Sequence, residues 1–397
     1  MTDFSRTRSL FHIPEGVVYL DGNSLGALPL AAKARVAAMI EAEWGEQLIR
    51  GWNSAGWMTQ PRRVGDRVAT LIGAPPGTVV MGDTLSIKVY QALAAAIALN
   101  PGRRVVLSDN GNFPTDLYMA QSVVSTLGDG LELKVVDPEA VDHAIDESVA
   151  VLMLTEVDYR TGRLHDMKRL TQKAHAAGVL TVWDLAHSAG AFPVEVSAAD
   201  ADFAVGCTYK YLNGGPGAPA FIYVAPRHAE VARPVLSGWM GHAAPFAFDL
   251  DYRAGAGIER MRVGTPPVIA LAALEAALDV WDGVSLHDVR AASIALSELF
   301  IREVERRCPQ LVLASPRNPA ARGSQVSFRH ADGYAMMRAM IARGVIGDFR
   351  APDLLRFGFT PLYLGEADVL RGLDIIADVV NNRHWDRPEF RTRELVT

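Results

Sequence analysis

The chain has 397 residues, 49% of them apolar, and a formal net charge of -6. A chain of that length buries a core large enough for two domains, and the even mixing of basic with acidic residues excludes a nucleic-acid face or a polybasic membrane patch. No apolar run approaches the length of a membrane-spanning helix, so small-molecule chemistry is the expected class.

The first ten residues, MTDFSRTRSL, lack the apolar centre of a signal peptide, and a cytoplasmic location is expected. Apolar positions at helical spacing over 30–49 predict a helix, followed by Trp-rich loops. Apolar runs at 104–107, 149–154, 179–183, 203–207 and 221–224 then alternate with amphipathic helical stretches. That alternation predicts an α/β fold with a largely parallel sheet covered by helices on both faces. Beyond about residue 266 the pattern becomes long helices, 268–281 and 286–307, with short strands around 325–328 and 354–359. The expected division is a large domain over 56–265 and a smaller domain made of 266–397, of α+β kind, with residues 1–55 packed onto it.

Cys207 and Cys308 are the only cysteines, too few for a disulfide framework or structural zinc. No metal site is expected, since His-x-x-x-His and Cys-x-x-Cys pairs are absent. A Walker loop and a Gly-x-Gly-x-x-Gly after a strand are absent too.

The chemistry gathers in the middle of the chain. Residues 179–187 read VLTVWDLAH, a buried strand ending at Asp184 with His187 three positions on. Asp184 could merely cap a helix and His187 sit on the surface; yet functional groups of open parallel sheets collect at the carboxyl ends of strands. The 203–207 strand then runs into Thr208, Tyr209, Lys210 and a glycine turn, 214–217. Only six lysines occur in the chain: Lys33, Lys88, Lys134, Lys168, Lys173 and Lys210. A lysine at a strand end forms Schiff bases with carbonyl cofactors, and pyridoxal phosphate also needs a carboxylate beside its ring nitrogen. Asp184 and Lys210 supply both.

On these residues the chain resembles the fold type I pyridoxal-phosphate enzymes of the class V aminotransferase superfamily, and within them the kynureninase family. The resemblance spans nearly the whole chain and rests on LDGNSLG at 20–26, FPTD at 113–116, DLAH at 184–187, YKYLNGGPG at 209–217, GWMGH at 238–242 and GTPP at 264–267. DxAH with a following lysine marks the superfamily; LDGNSLG, FPTD and GWxGH together single out the family. It implies hydrolysis of L-kynurenine to anthranilate and L-alanine in tryptophan degradation, with 3-hydroxykynurenine left open as a second substrate.

Carried over by position, the resemblance implies that Lys210 holds the cofactor aldehyde, Asp184 pairs with the ring nitrogen and Phe113 stacks on the ring. Leu85 and Ser86 would meet the phosphate at a helix start, although Ser86 could equally be an N-cap. Pro114, Thr115, Asp116, Thr155, His187 and Tyr209 match further cofactor contacts. Trp239 and Thr265 match contacts that reach in from a partner subunit, which implies a homodimer. Arg356 would hold the substrate carboxylate through a bidentate fork, with Arg350 the fallback and a surface salt bridge the bland alternative. Ser24 and Trp57 match the substrate pocket, while Trp52 reads as a packing anchor. Trp57, as an apolar wall, favours kynurenine over its 3-hydroxy analogue. Tyr209 is the expected proton relay, provided its neighbours tune a phenol toward neutral pH. A cysteine desulfurase, a selenocysteine lyase or an aminotransferase shares the superfamily signature; a non-catalytic regulator would need a DNA-binding module that the chain has no room for.

Overall fold

A computed structural model describes residues 1–128 and 130–394. Its centre is a seven-stranded sheet in the order Val79–Met81, Phe221–Val224, Phe203–Gly206, Leu180–Asp184, Val149–Thr155, Val105–Asp109 and Glu132–Val136. All neighbours pair in parallel except Phe221–Val224, which runs against both of its neighbours. Side chains alternate between faces, as the strand repeat requires. Val182, Val205 and Ile222 pack into the core that includes the helix Leu85–Leu99, whereas Trp183, Ala204 and Tyr223 enter the core on the other side. With both faces covered, the central strands read as unbroken apolar runs, which is why four of the five expected strands match within two residues at each end and the fifth coincides.

Two strands of the central sheet escaped the sequence reading. Val79–Met81 has three residues, and Glu132–Val136 is an edge strand with mostly exposed or half-buried side chains, so neither shows the apolar run of a central strand. The helix expected over 30–49 is also broken. Leu30–Ala38 is α-helical, Met39–Glu46 continues as a wider π-helix and Leu48–Arg50 as a 3-10 turn. Gly45 weakens the helix, and Leu48, at φ 51°, ends it.

Toward the C-terminus an antiparallel sheet runs Val312–Leu313, Gln325–Arg329, Leu354–Gly358, Asp348–Arg350. The helix Leu286–Arg307 packs on it through Phe300, whose ring lies 4.9 Å from Phe357 and 5.2 Å from Phe359. The beginning of the chain is laced into this region. Val18–Tyr19 pairs in parallel with Val345–Ile346, and the Leu20 carbonyl accepts the Gly358 N–H at 2.7 Å. LDGNSLG therefore starts on the C-terminal sheet.

The lower ends of three central strands are fastened by one buried carboxylate. Asp202 is 0% exposed, and accepts from Thr181 N at 2.8 Å, Arg227 Nη2 at 2.6 Å, and His175 Nε2 and His228 Nε2 at 2.8 Å each. Burial alone would raise its pKa, but His175, His228 and Arg227 outweigh burial and hold it well below the carboxylate range. The His175 pKa is raised, mainly by Asp202. Asp202 thus stabilises the fold above its unfolded pKa and loses that contribution as pH falls toward its folded value. His175 contributes fully below its unfolded pKa and loses its share as pH rises through its folded value. Asp202→Asn is expected to cost about 3–5 kcal/mol, the scale for breaking a buried pair from one side. The loss, followed by chemical denaturation across pH, should be largest between about pH 4 and about pH 6.5 and narrow above that window. A pH-independent loss would remove His175 from the network.

Candidate active site

Asp184 ends its strand, and the parallel neighbour Phe203–Gly206 runs on to Tyr209 and Lys210. Both carboxyl ends open at the same edge of the sheet, the place where side chains leave the ladder and can converge. The two residues line one cavity of about 190 Å³ together with Leu85, Ser86, Phe113, Thr115, Asp116, Thr155, Tyr159, Ala186, His187 and Tyr209.

Lys210 is located by contacts from both halves of the chain. Its Nζ lies 2.9 Å from His187 Nε2. Gly26 donates its N–H to the Tyr209 carbonyl at 2.7 Å, and a Cβ on Gly26 would strike the Lys210 carbonyl and the Asn213 side chain. The LDGNSLG segment therefore ends on the lysine it lies 184 positions from in sequence.

Asp184 is 3% exposed. Its Oδ1 accepts the Ala186 N–H at 2.9 Å and its Oδ2 the Thr155 hydroxyl at 3.4 Å. Burial raises its pKa, while the Lys210 charge, the Ala186 amide and Asp116 oppose the rise. Asp116 is pushed well above the carboxylate range by its own burial and by Asp184. Both carboxyls are raised, Asp116 the more strongly, so Asp116 is the member of the pair that favours the proton. His187 is neutral, its pKa lowered first by burial and then by Lys210, Arg356 and Arg350.

Tyr209 departs from its expected tuning. Cys207 beside it, then burial, raise the phenol pKa instead of lowering it. The phenol stays protonated, so it can donate but is no resting base.

At the other end of the cavity the helix Leu85–Leu99 follows Thr84 without a side-chain cap, which leaves its first N–H groups and the Ser86 hydroxyl facing outward for an anion. Thr84, not Ser86, is the N-cap residue. Phe113 precedes the helix Pro114–Leu127, whose first position suits a residue without an N–H. Pro114 sets that turn but does not line the cavity. Phe113 is 41% exposed, and its ring meets the Tyr159 ring edge-on at 5.0 Å. Asn112 Oδ1 accepts the Phe113 N–H at 2.8 Å, and Asp109 holds both the Gly111 N–H at 2.9 Å and His165 Nε2 at 2.7 Å. Tyr159 escaped the sequence reading; its signal was its place just beyond the carboxyl end of the buried strand Val149–Thr155.

Besides Pro114, the expected residues Arg356, Ser24, Trp57, Trp239 and Thr265 lie off this cavity. Arg356 is buried against Asp348 and Ser24, so the edge of its fork proposed for a ligand already holds a carboxylate. Trp57 packs with Met39 and Ala272, and its Nε1 donates to Glu43 at 2.9 Å. The expected preference for kynurenine, built on Trp57 as a pocket wall, loses its geometric basis in this subunit. Trp52 meets Trp57 edge-on at 6.1 Å as a packing partner. Trp239 and Thr265 are exposed and do not line the cavity.

Comparisons with known proteins bear on this geometry. Residues 289–376 match the model of the kynureninase C-terminal domain. A kynureninase from Burkholderia pseudomallei strain 1106a is 50% identical over 98% of this chain and 95% of its own length. One from Pseudomonas fluorescens is 49% identical over the same shares. The chain belongs to the kynureninase family. Among solved structures, the cysteine desulfurase of Thermococcus onnurineus superposes with a TM-score of 0.82 at 18% identity, covering 96% of this chain and 99% of its own. C-DES with glycine covalently linked to its PLP cofactor superposes at 0.80 with 16% identity, over 95% and 100%. At that identity they establish the fold, that of the fold type I pyridoxal-phosphate enzymes.

The kynureninase cavity fits pyridoxal phosphate by its own chemistry. An uncapped helix start suits a phosphate, the open face of Phe113 a planar ring, the buried ionised Asp184 a protonated ring nitrogen, and the Lys210 amine an aldehyde. Asp116 Oδ2 and His187 Nδ1 have no partner among the described residues, an arrangement that a bound polar ring relieves.

If Asp116 is the protonated member of its pair, Asp116→Asn keeps a donor toward Asp184 and should hold the cofactor within about threefold of wild type. Asp116→Ala should weaken it at least about tenfold, since Asp184 loses a buried charged hydrogen bond. Cofactor titration of the apoenzyme, followed by visible absorbance, checks both. Equal losses would put the charge on Asp116.

Proposed function

We propose that this chain hydrolyses L-kynurenine to anthranilate and L-alanine, with pyridoxal phosphate held at Lys210. The observation that carries the reading is the convergence of the Lys210 amine and the buried Asp184 carboxylate on one cavity at adjacent strand ends, in a chain half identical to kynureninases.

Leu85 and Ser86 would hold the phosphate, Phe113 one face of the ring, and Asp184 its nitrogen. Bound there, the cofactor supplies an aldehyde for the substrate amine and a ring that accepts the electron pair freed at the substrate Cα. Lys210 Nζ takes the Cα proton, and neutral His187, 2.9 Å away, accepts a hydrogen bond from the amine and orients it. Asp184, kept ionised by Ala186, Thr155 and Asp116, sustains the proton on the ring nitrogen. Water adds to the aryl ketone, the bond between Cβ and the carbonyl carbon breaks, the water oxygen leaves in the anthranilate carboxylate, Lys210 returns the proton to Cα, and Cβ gains a proton. Tyr209, protonated and on the cavity wall, is the donor for that last transfer.

Both thiols are buried, Cys207 at 3% and Cys308 at 1%, and burial raises both their pKa values. A desulfurase needs an ionised, mobile thiol, and neither qualifies. The unpaired cysteines also suit the cytoplasm. A homodimer is proposed because Trp239, Phe246, Phe248 and Leu250 expose apolar surface and an apolar groove of about 1070 Å³ runs past Val36, Pro267, Val268 and Ile269, surface that a monomer rarely leaves open.

Purified protein with pyridoxal phosphate should release fluorescent anthranilate from L-kynurenine; silence with kynurenine and sulfide release from cysteine would overturn the reading. Lys210→Ala should abolish release, and borohydride with peptide mapping should find the cofactor on Lys210 in wild type. If Trp239 serves the partner's cavity, Trp239→Ala and Lys210→Ala, each inactive alone, should regain about a quarter of wild-type turnover when unfolded together and refolded, because half of the dimers carry one intact site. No recovery would confine each site to one subunit.

A further inference from the structure

Lys88 is 0% exposed, while the other five lysines are exposed or half-buried. An ammonium is costly to bury unless each of its donors finds an acceptor. The three donors of Lys88 do: Nζ donates to Asp83 Oδ2 at 3.1 Å, to Gln91 Oε1 at 2.9 Å and to the Met261 carbonyl at 3.2 Å. Burial lowers the pKa of the amine, and the charge and hydrogen bond of Asp83 oppose that fall. Lys88 does not line the cavity. It stands two positions from Ser86 on the helix Leu85–Leu99, about 200° around the axis, so the two side chains leave the helix on opposite sides.

What Lys88 reaches is the turn in front of that helix. Asp83 has φ 55°, in the left-handed region that a residue other than glycine holds where its neighbours impose it. Two backbone bonds fasten the turn: Gly82 donates to the Ala220 carbonyl at 2.9 Å, and Ala220 donates to the Asp83 carbonyl at 3.1 Å. The third fastening is the bond from Lys88 to the Asp83 side chain, which ties the turn to the body of the helix it precedes. Since Thr84 supplies no side-chain cap, the aim of the first helical N–H groups depends on how this turn is held.

We infer that Lys88 is a positioning residue for the cofactor phosphate: by holding Asp83 in its left-handed turn, it aims the Leu85 and Ser86 N–H groups and the Ser86 hydroxyl into the cavity. This rests on the reading that places the phosphate at Leu85 and Ser86. The test compares pyridoxal phosphate with pyridoxal, which has the same ring and aldehyde without the phosphate, each titrated into the apoenzyme and followed by visible absorbance. Lys88→Met fills the buried site with an uncharged chain of similar shape and leaves Asp83, whose side chain is 33% exposed, to water. It should weaken pyridoxal phosphate at least about tenfold, the scale of one charged hydrogen bond, and leave pyridoxal within about twofold. A loss of general packing would weaken both alike. Asp83→Ala cuts the same tie from its exposed end and brings in a side chain that rarely takes a left-handed turn. It should show the same split, and it decides the matter if Lys88→Met proves unstable. An undiminished preference for pyridoxal phosphate in either folded variant, or equal losses for the two ligands, would overturn the assignment. Wild-type protein that binds both ligands equally overturns the phosphate placement and this assignment with it. Wild type that favours pyridoxal phosphate yet leaves kynurenine intact sinks the kynureninase reading, and the variants still decide Lys88.

Discussion

A carboxylate that must stay ionised while sealed from water governs the centre of this molecule. Asp184 is 3% exposed, and an isolated charge there would neutralise itself before the fold could use it. Burial raises its pKa, and the Lys210 charge, the Ala186 N–H in the turn after its strand, Asp116 and the Thr155 hydroxyl oppose that rise. Those partners come from four stretches of chain, and the parallel sheet brings them to one edge. The apolar strands are thus rigid supports whose carboxyl ends deliver polar groups to fixed positions.

The same requirement explains how far the supporting contacts reach. The lysine loop is pinned from below by Gly26, whose missing Cβ leaves room for the Lys210 carbonyl, and Gly26 belongs to a segment that starts on the C-terminal sheet. At the opposite ends of the strands, Asp202 gathers two histidines and an arginine. One carboxylate lies at the cavity and the other holds the register of the strands. Both are stabilised by donors from neighbouring strands, which couples the integrity of the sheet to the geometry of the cavity.

The likeness to a cysteine desulfurase at 18% identity shows how little of the activity resides in the fold. Asp184, His187 and Lys210 are the residues to which the proposed cofactor chemistry is assigned. Around them this chain carries two buried thiols, the Phe113–Tyr159 ring pair, and two arginines flanking Asp348.

The sequence by itself determined the central strands, because both faces of a parallel sheet are covered and the strands must read as apolar runs. It also determined the lysine, the aspartate and the glycine-bearing turns, since few residue types can do what those positions require. The edge strand Glu132–Val136 was hidden because half its side chains face water. Only the tertiary structure decided which member of the Asp116–Asp184 pair keeps the proton, where Trp57 packs, and that Cys207 and burial raise the Tyr209 phenol. It alone showed that Asp348 already occupies the Arg356 fork. Each of these depends on a neighbour supplied by another element or on the depth of burial, and local pattern carries neither; a pKa or a free hydrogen-bond donor is a property of the surroundings, which exist only once the chain has closed on itself.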